Sequence, residues 1–226
     1  MSRPEEVTGS IWVLLASGPS QCGEDIEAVR VFREQTGARV TAINNQIFSA
    51  PWADVHYVAD QTWHEAYRKR PEAAPVLDEY RGERLGWTAG SARYGYRPVR
   101  RETGRGLGLT GVRSGANSGH QALNLAYLRG ARLVILLGYD MQHTGGRLHN
   151  HPDHPAPLPN FSNGMPALCV AGFNASAPML RALGCRVINA SRESALRCFE
   201  RLGLAEALKI AQQYAADTPP AAVRAF

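Results

Sequence analysis

The stretch that decides the fold is IWVLLASGPS at residues 11–20. Six apolar residues in a row, followed at once by Ser, Gly and Pro, are typical of a strand that is buried on both faces and ends in a tight turn. A helical pattern follows, with the acidic residues Glu24 and Asp25 at its start and Gly37 at its end. This order of strand, turn and helix predicts the first unit of a mainly parallel sheet.

The same order recurs further along the chain. Later strands are predicted at 39–43, 55–59, 133–137 and 185–188, and helices at 119–129, 167–183, 193–201 and 204–215. Strands that alternate with helices favour an α/β fold with a mainly parallel sheet and helices on both faces. The periodicity fades between residues 71 and 115, so we expect a long irregular lid there, with room for one or two short strands.

Length and composition bound the kind of protein. The chain has 226 residues, of which 44% are hydrophobic and 20% charged, as in an ordinary globular protein. We expect one domain over residues 1–216 and a flexible tail at 217–226. The apolar runs are too short for a membrane span, the N-terminus has no secretory signal, and the four cysteines have the spacing of reduced thiols. These features predict a cytoplasmic protein with no membrane partner, and they leave the oligomeric state open.

The net charge of +5 is distributed unevenly. Six arginines lie in the stretch Arg93–Arg113, where Glu102 is the one acidic residue. Because arginine suits two-point contacts with phosphate, a nucleotide or a DNA strand is a candidate partner of this stretch. A solvated basic loop is the alternative that the sequence leaves open.

Polar residues follow the first three predicted strands. Ligands of open α/β sheets bind outside the carboxyl ends of the strands, so these residues are expected to meet at one edge. In Ser17-Gly18-Pro19-Ser20, glycine lets backbone N–H groups approach an anion beside a helix N-terminus. The carboxamides of Asn44-Asn45-Gln46 suit the edge of a base or a ribose hydroxyl, and Asp60 follows the third strand. A plain turn after the first strand and Asx-type capping after the second are the structural alternatives.

A third polar segment precedes the helix predicted at 119–129. It runs Arg113-Ser114-Gly115-Ala116-Asn117-Ser118. Its small residues, with Arg, Asn and Ser, form a natural cradle for a sugar or a pyrophosphate. The alternative is structural, with Ser118 acting as the N-cap of the helix.

A histidine-rich loop follows the strand predicted at 133–137. The segment HNHPDHP contains His149, His151 and His154, and Asp140 closes the strand before the loop. Such histidines can supply a general base of near-neutral pKa, bind a metal, or lie in a solvated loop. Their spacing matches no standard zinc pattern, so no metal ligand is assigned. The three histidines and Asp140 are the candidate catalytic residues.

Several short blocks of the chain resemble known families. SGPS, NNQ, SG before a helix, LLGYD and the late VINASRESAL occur in the order seen in the bacterial sialyltransferases of the Campylobacter type, glycosyltransferase family 42. The GPS turn and the strand ending in L-x-G-x-D also resemble the archaeal 6-hydroxymethylpterin diphosphokinase family. A group of bacteriophage proteins of unassigned role is similar in the stretch NSGHQALNLAYLRGA and in a His-rich loop after GYDM.

The resemblance implies a Rossmann-like fold and a glycosyltransferase-like activity with a CMP-, UDP- or GDP-linked sugar as donor. It implies that the GPS turn and Asn45 contact the nucleotide, and that Ser114 and Gly115 lie beside the phosphate or the sugar. A hydroxylated base in phage DNA is the acceptor that the arginine-rich stretch suits. Diphosphate transfer from ATP with Mg²⁺, and a nucleotide-binding protein without catalysis, are the alternatives.

The chain departs from the sialyltransferase pattern at the catalytic histidine. In that family the histidine lies before a helix that would start here near Gly172, where this chain has Val170 and Ala171. If the base has moved, the histidines of the HNHPDHP segment are the candidates for it.

Overall fold

Eight parallel strands form one sheet. The computed structural model describes residues 11–156, 158 and 165–217. The strands are β1 (Ile11–Leu15), β2 (Arg39–Ile43), β3 (Val55–Val58), β4 (Glu83–Gly86), β5 (Arg97–Pro98), β6 (Leu133–Leu137), β7 (Arg186–Asn189) and β8 (Glu200–Arg201). Their spatial order is β5-β4-β3-β2-β1-β6-β7-β8. The protein therefore has a Rossmann-like α/β fold, and the predicted fold class is confirmed.

Helices cover both faces of this sheet. They are α1 (Gly23–Thr36), α2 (Gln61–Tyr67), α3 (Ala74–Glu79), α4 (Ser118–Leu128), α5 (Met165–Ala182) and α6 (Leu204–Asp217). Successive side chains of β1 point to opposite faces: Val13 packs in the core beside α1 and α6, whereas Trp12 packs in the core beside α4 and α5. In the described part of the chain, no helix combines the length and the apolar character that a membrane crossing requires.

The winding of the sheet reverses between β1 and β6. From β1 the chain adds β2 to β5 on one side, and it then crosses over to add β6 to β8 on the other. Leu15 of β1 is in register with Ala42 on one side and with Leu137 on the other. At such a reversal the loops that leave the two neighbouring strands diverge, which opens a crevice at the carboxyl edge.

The region 71–115 is more regular than the fading periodicity suggests. It contains α3, β4, a 3₁₀ helix at Ala89–Tyr94 and β5, so it extends the sheet by two strands. These strands have four and two residues, and both residues of β5 are exposed. Strands this short and this exposed carry too few residues to display an alternating pattern.

The prediction of a helix at 193–201 is wrong. The stretch forms bends and then the short strand β8. Ser194 Oγ donates to the Tyr139 carbonyl over 2.7 Å and accepts from the backbone N–H of Leu196 over 3.1 Å. Side-chain hydrogen bonds of this kind compete with helix formation.

The helix that the sialyltransferase pattern would start near Gly172 begins earlier in the chain. Helix α5 begins at Met165, so Gly172 lies inside the helix and not at its start. A Cβ atom on Gly172 would lie 2.7 Å from the Gly115 carbonyl, so glycine lets α5 pack closely against the segment before α4.

The flexible tail predicted at 217–226 lies outside the described residues except for Asp217, which ends α6.

Candidate functional site

A cavity of about 490 Å³ opens at the carboxyl edge of the sheet, beside the reversal between β1 and β6. Three segments that follow strands contribute to its wall, namely Ser17 and Gly18, Asn44, and Asp60. The other predicted residues on the wall are Ser114 and Asn117 before α4, Ser118 at its start, and His149, His151 and His154. The volume falls within the range of small-molecule sites, about 300–1,000 Å³. The segments that the sequence singled out are therefore brought together around one space, which we call the first cavity.

Seven of the predicted site residues are not part of the wall of the first cavity: Pro19, Ser20, Asn45, Gln46, Arg113, Gly115 and Asp140. Pro19 and Ser20 complete the turn after β1, and Gly115 lies in the segment before α4 with φ at +54°. A Cβ on Gly115 would overlap the ring of His120, so the segment can pass this close only as glycine.

The turn Ser17–Ser20 is fastened to the end of β6 by Asp140. The backbone N–H of Ser20 donates to Asp140 Oδ2 over 2.9 Å, and Ser20 Oγ donates to Oδ1 over 2.8 Å. Thr144 Oγ1 also donates to Oδ2, over 3.2 Å. Burial raises the pKa of Asp140, while these hydrogen bonds oppose the shift. In this structure the carboxylate supports the turn from behind the cavity wall.

Residues of the late pattern VINASRESAL form hydrogen bonds to the backbone beside Asp140. Ser191 Oγ accepts from the backbone N–H of Tyr139 over 2.7 Å, and Ser194 Oγ donates to the Tyr139 carbonyl. Asn189 Nδ2 in turn donates to Ser194 Oγ over 2.8 Å. These residues hold Tyr139, and therefore they also fix the position of Asp140 beneath the turn.

Asn45 orients two residues of the cavity wall. Its Oδ1 accepts from Trp63 Nε1 over 2.6 Å, and its Nδ2 donates to Tyr67 Oη over 2.7 Å. Tyr67 Oη lies 2.9 Å from His154 Nδ1. Because Tyr67 Oη accepts from Asn45, its own proton is available to His154. Asn45 therefore acts through Trp63 and His154, which both line the first cavity.

Asn150 anchors the histidine loop, and the sequence pattern did not single it out. Its backbone N–H donates to the Ser17 carbonyl over 2.8 Å, and its Nδ2 donates to Gln21 Oε1 over 3.0 Å. Its Oδ1 accepts from Gln46 Nε2 over 3.1 Å. Its place between His149 and His151 is a local signal, but the hydrogen bonds that make it an anchor join residues far apart in the chain.

The three histidines form a compact cluster. The rings of His149 and His151 are stacked, with centroids 4.8 Å apart and planes 6° apart, and His154 lies 4.8 Å from His151. Burial lowers the pKa of His149 and His154 to about 4, and it lowers the pKa of His151 as well. All three rings are therefore neutral at pH 7. Within residues 11–156, 158 and 165–217, no group of three His, Cys, Asp or Glu side chains is arranged to hold a metal ion.

The tautomer of His151 follows from its hydrogen bond. Its Nδ1 lies 2.7 Å from the carbonyl oxygen of Pro152. A carbonyl only accepts, so Nδ1 carries the ring proton and donates it to this bond. The neutral ring therefore keeps a lone pair on Nε2, which is the arrangement that a general base requires.

The first cavity exposes more apolar than polar surface, and it is not basic. No lysine or arginine belongs to its wall in the described part of the chain, and Asp60 is the one carboxylate there. The wall also includes the buried Trp63 and the partly exposed Trp87, and the sequence pattern indicated neither. Trp87 directly follows β4, so recognition of that strand would have found it.

The arginine-rich stretch lies outside the first cavity and divides into two groups. Arg93 pairs with Glu65 over 2.8 Å, and Arg97 and Arg113 pair with Glu83 and Glu102. Three exposed arginines form no ion pair with any described residue: Arg100, Arg101 and Arg105. The guanidinium of Arg101 lies over the ring of Trp87, 5.4 Å from its centroid. This second group therefore begins beside a residue of the cavity wall.

Fold and site together define an α/β protein with a cavity of mixed polar and apolar character at the reversal point of a parallel sheet. A scan against protein-family models found no match, and searches of curated proteins and of solved structures found none either. Because many activities share this kind of fold, the function has to follow from the chemistry of the cavity.

Proposed function

We propose that the protein is a glycosyltransferase-like enzyme that binds a nucleotide-activated sugar in the first cavity and transfers the sugar to a hydroxyl group. The observation that carries the proposal is the neutral His151 on the cavity wall, with its proton on Nδ1 and a lone pair on Nε2. A positioned imidazole in this state removes a proton from an attacking hydroxyl at neutral pH.

The wall offers groups that suit each part of the donor. Trp87 is partly exposed and provides a surface on which a base can stack, whereas Trp63 is buried. Asn44 Oδ1 has no hydrogen-bond partner among the described residues, so it can accept from a base or ribose donor. Ser118 and Gly119 form the first turn of α4, whose N–H groups and dipole favour a phosphate.

The proposed transfer step balances with these groups alone. The acceptor hydroxyl gives its proton to His151 Nε2, and its oxygen forms a bond to the anomeric carbon. The bond between that carbon and the phosphate oxygen breaks, and its electron pair leaves with the nucleotide. The N-terminus of α4 stabilises the negative charge that develops on the phosphate.

The charge of the wall favours a donor with a single phosphate. A diphosphate carries more charge, and the described wall residues include no lysine or arginine to neutralise it. For this reason we rank a CMP-linked sugar above UDP- and GDP-linked sugars. Diphosphate transfer from ATP ranks lower because Mg²⁺ needs a set of carboxylates, and Asp60 stands alone on the described wall.

The acceptor that we propose is a hydroxylated base in DNA, encountered in the cytoplasm of the host cell. Support comes from the exposed arginines Arg100, Arg101 and Arg105, which have no carboxylate partner among the described residues. Arg101 also contacts Trp87, a residue of the cavity wall. A strand bound along these arginines would pass close to the first cavity.

The proposal is tested by thermal-shift measurements with CMP-, UDP- and GDP-sugars and with ATP, each in the presence of Mg²⁺ or EDTA. We expect a CMP-sugar to raise the melting temperature equally in both conditions. The variant His151→Asn should then bind the same donor with an unchanged Kd but lose turnover. A shift by ATP and Mg²⁺ alone would favour diphosphate transfer, and binding without turnover in the wild type would favour a nucleotide-binding protein.

A further inference from the structure

A second cavity of about 430 Å³ adjoins the first. Its wall includes Cys22 before α1, Ile26 of α1, Phe48 and Trp52 after β2, and His151. His151 belongs to the walls of both cavities, whereas His149 and His154 belong to the wall of the first cavity alone. The imidazole of His151 therefore stands between the two spaces.

The second cavity has aromatic walls. Phe48 and Trp52 are both partly exposed, so each presents ring surface. Phe48 is supported from behind by Trp63, with ring centroids 6.1 Å apart, and by Tyr67, at 5.6 Å. A ring held in this way forms a firm platform on which a planar ligand can stack.

A buried carboxamide adds a hydrogen-bonding edge to the second cavity. Gln46 is 1% exposed and belongs to this wall, and its Nε2 is engaged by Asn150 Oδ1. This bond fixes the orientation of the amide, and it leaves Gln46 Oε1 with no hydrogen-bond partner in the described part of the chain. An unpartnered buried acceptor is costly, so Oε1 favours a ligand that brings an N–H or O–H donor.

The second cavity offers less to a phosphate than the first. No lysine or arginine belongs to its described wall, and the one carboxylate there, Glu27, pairs with Arg30. The first turn of α1, beside this wall, already carries Glu24 and Asp25, whereas the first turn of α4, at the first cavity, carries no acidic residue. The second cavity therefore favours an uncharged ligand.

We infer that the second cavity is the acceptor site, and that it takes an uncharged planar heterocycle of the nucleobase class that carries a hydroxyl group. The ring stacks between Phe48 and Trp52, its donor edge meets Gln46 Oε1, and its hydroxyl reaches His151 Nε2 at the boundary with the first cavity. The assignment of this ligand as the sugar acceptor rests on the proposed function, whereas the existence of a heterocycle-binding site does not.

Titrations with two probe nucleosides and one oligonucleotide test the site on the full chain. The probes are 5-hydroxymethyl-2′-deoxycytidine, 2′-deoxycytidine, and a short single-stranded DNA that contains the hydroxymethylated base. We expect at least one hydroxymethylated probe to bind with a Kd of about 1 mM or lower. Binding of the free nucleoside points to a small-molecule acceptor, and binding of the DNA alone points to a base in a strand; both outcomes support the site.

Carbethoxylation of histidines by diethyl pyrocarbonate locates the bound probe. A ligand in the second cavity should shield His151 and leave His149 reactive, because His149 lines the first cavity alone. A CMP-sugar in the first cavity should shield both. The exposed His143 serves as the reference whose labelling stays constant.

Two tryptophan variants separate the cavities. Trp52→Ala should weaken the bound probe about tenfold or more, since stacking of a base on an aromatic ring contributes this much, and should leave CMP-sugar binding unchanged. Trp87→Ala, in the wall of the first cavity, should weaken the CMP-sugar and leave the affinity of the free nucleoside unchanged.

Three results would overturn the inference: no probe binds below about 5 mM, the probes compete with the CMP-sugar for one site, or Trp52→Ala leaves probe affinity unchanged. A different result would overturn only the proposed function. If probes bind in a Trp52-dependent way while no nucleotide-sugar binds at all, the heterocycle site stands and the transferase proposal fails.

Discussion

Asp140 accepts hydrogen bonds from both the backbone N–H and the hydroxyl of Ser20, over 2.9 and 2.8 Å. The two residues are 120 positions apart in the chain, and they meet because β1 and β6 are neighbours in the sheet. Ser20 ends the turn after β1, and Asp140 follows β6. Their contact therefore joins the two loops that leave the reversal point, and it fixes the turn on which one side of the first cavity is built.

The variant Asp140→Asn tests this contact. An amide has one acceptor oxygen in place of two, so at most one of the two bonds from Ser20 keeps its present direction, and an uncharged amide oxygen accepts more weakly than a carboxylate. We expect the free energy of unfolding to fall by about 2 kcal/mol and ligand affinity in the first cavity to fall with it. Urea denaturation and the thermal-shift titrations measure the two effects.

Ser20→Ala is the matched control for Asp140→Asn. It removes the hydroxyl bond to Asp140 and the weaker bond that the hydroxyl accepts from the backbone N–H of Glu193 over 3.2 Å, but it keeps the bond from the Ser20 backbone N–H, so its cost should be nearer to about 1 kcal/mol. Equal losses for the two variants would mean that the backbone bond contributes little and that the turn is held by other contacts.

Glycine at position 18 is required by the same close approach. A Cβ built on Gly18 would overlap both Asp140 Oδ1 and the Gly138 carbonyl. Gly18→Ala should therefore force the turn away from β6, lower the free energy of unfolding by about 1–3 kcal/mol and weaken ligand binding. Gly23→Ala, in the first turn of α1, meets open space and should leave stability unchanged or slightly raised. Denaturation midpoints that shift equally in the two variants would contradict this account.

The sequence predicts the centre of the fold better than its edges. The apolar runs of β1 and β6 are both five residues long and buried on both faces, so composition alone marks them. The bends at 193–201 depend on Ser194 meeting Tyr139, which lies 55 positions away. No local pattern contains such a contact, and the helical spacing of that stretch misleads for this reason.

Some residues of the candidate site can be predicted from the sequence, and others cannot. Ser17, Gly18 and Asn44 were found because they directly follow predicted strands, and the structure brings them to one cavity. Asn150 was missed because its role depends on Gln21 and Gln46, which are 129 and 104 positions away. Trp87 was missed because β4 has four residues and does not stand out from the lid region.

The low pKa values of the histidine cluster predict a loss of stability in mild acid. His149 and His154 have a pKa of about 4 in the folded protein, against an ordinary value of 6.5. Above pH 6.5 both histidines are neutral in the folded state and in the unfolded state. Between pH 6.5 and 4 the unfolded state binds protons that the folded state does not, so the free energy of unfolding falls as the pH falls.

Urea denaturation at pH 7, 6 and 5 measures this slope. The buried His56, His64 and His120 also have lowered pKa values and contribute to it. The double variant His149→Asn and His154→Asn should therefore flatten the slope without abolishing it. If the transferase proposal holds, the acid limb of the pH–rate profile should lie below the ordinary histidine value of 6.5, since burial lowers the pKa of the His151 base too. A variant with the wild-type slope would show that these rings titrate normally.

The anchoring role of Asn150 predicts a functional loss that exceeds the structural one. Asn150→Ala removes the side-chain bonds to Gln21 and Gln46 but keeps the backbone bond to Ser17. We expect ligand affinity in the first cavity to fall about tenfold because His149 and His151 lose their fixed position, with a stability loss of about 1 kcal/mol. Asn174→Ala, on an exposed position of α5, is the control and should change neither quantity. Unchanged affinity in Asn150→Ala would mean that the loop is positioned without it.

The exposed arginines predict a salt-dependent interaction with single-stranded DNA. Replacement of Arg100, Arg101 and Arg105 by Gln should weaken binding and reduce the slope of log K against log salt by about 0.7 for each phosphate that is no longer neutralised. The control variant Arg93→Gln with Arg186→Gln removes the same kind of charge from residues that are paired with Glu65 and Glu200. Arg186 lies in β7, on the far side of the sheet from the arginine-rich stretch, so a strand bound beside Trp87 would not touch it.

The comparison of slopes distinguishes a defined binding surface from general attraction. General attraction depends on net charge, and the control removes two positive charges against three, so the two variants would then weaken binding in rough proportion. A defined surface predicts a large change in slope for Arg100, Arg101 and Arg105 and almost none for the control. Because Arg101 lies over Trp87, the change in Trp87 fluorescence on addition of DNA should differ between the triple variant and the wild type. Similar slopes in both variants would exclude DNA as the acceptor, and the free heterocycle would remain as the acceptor to test.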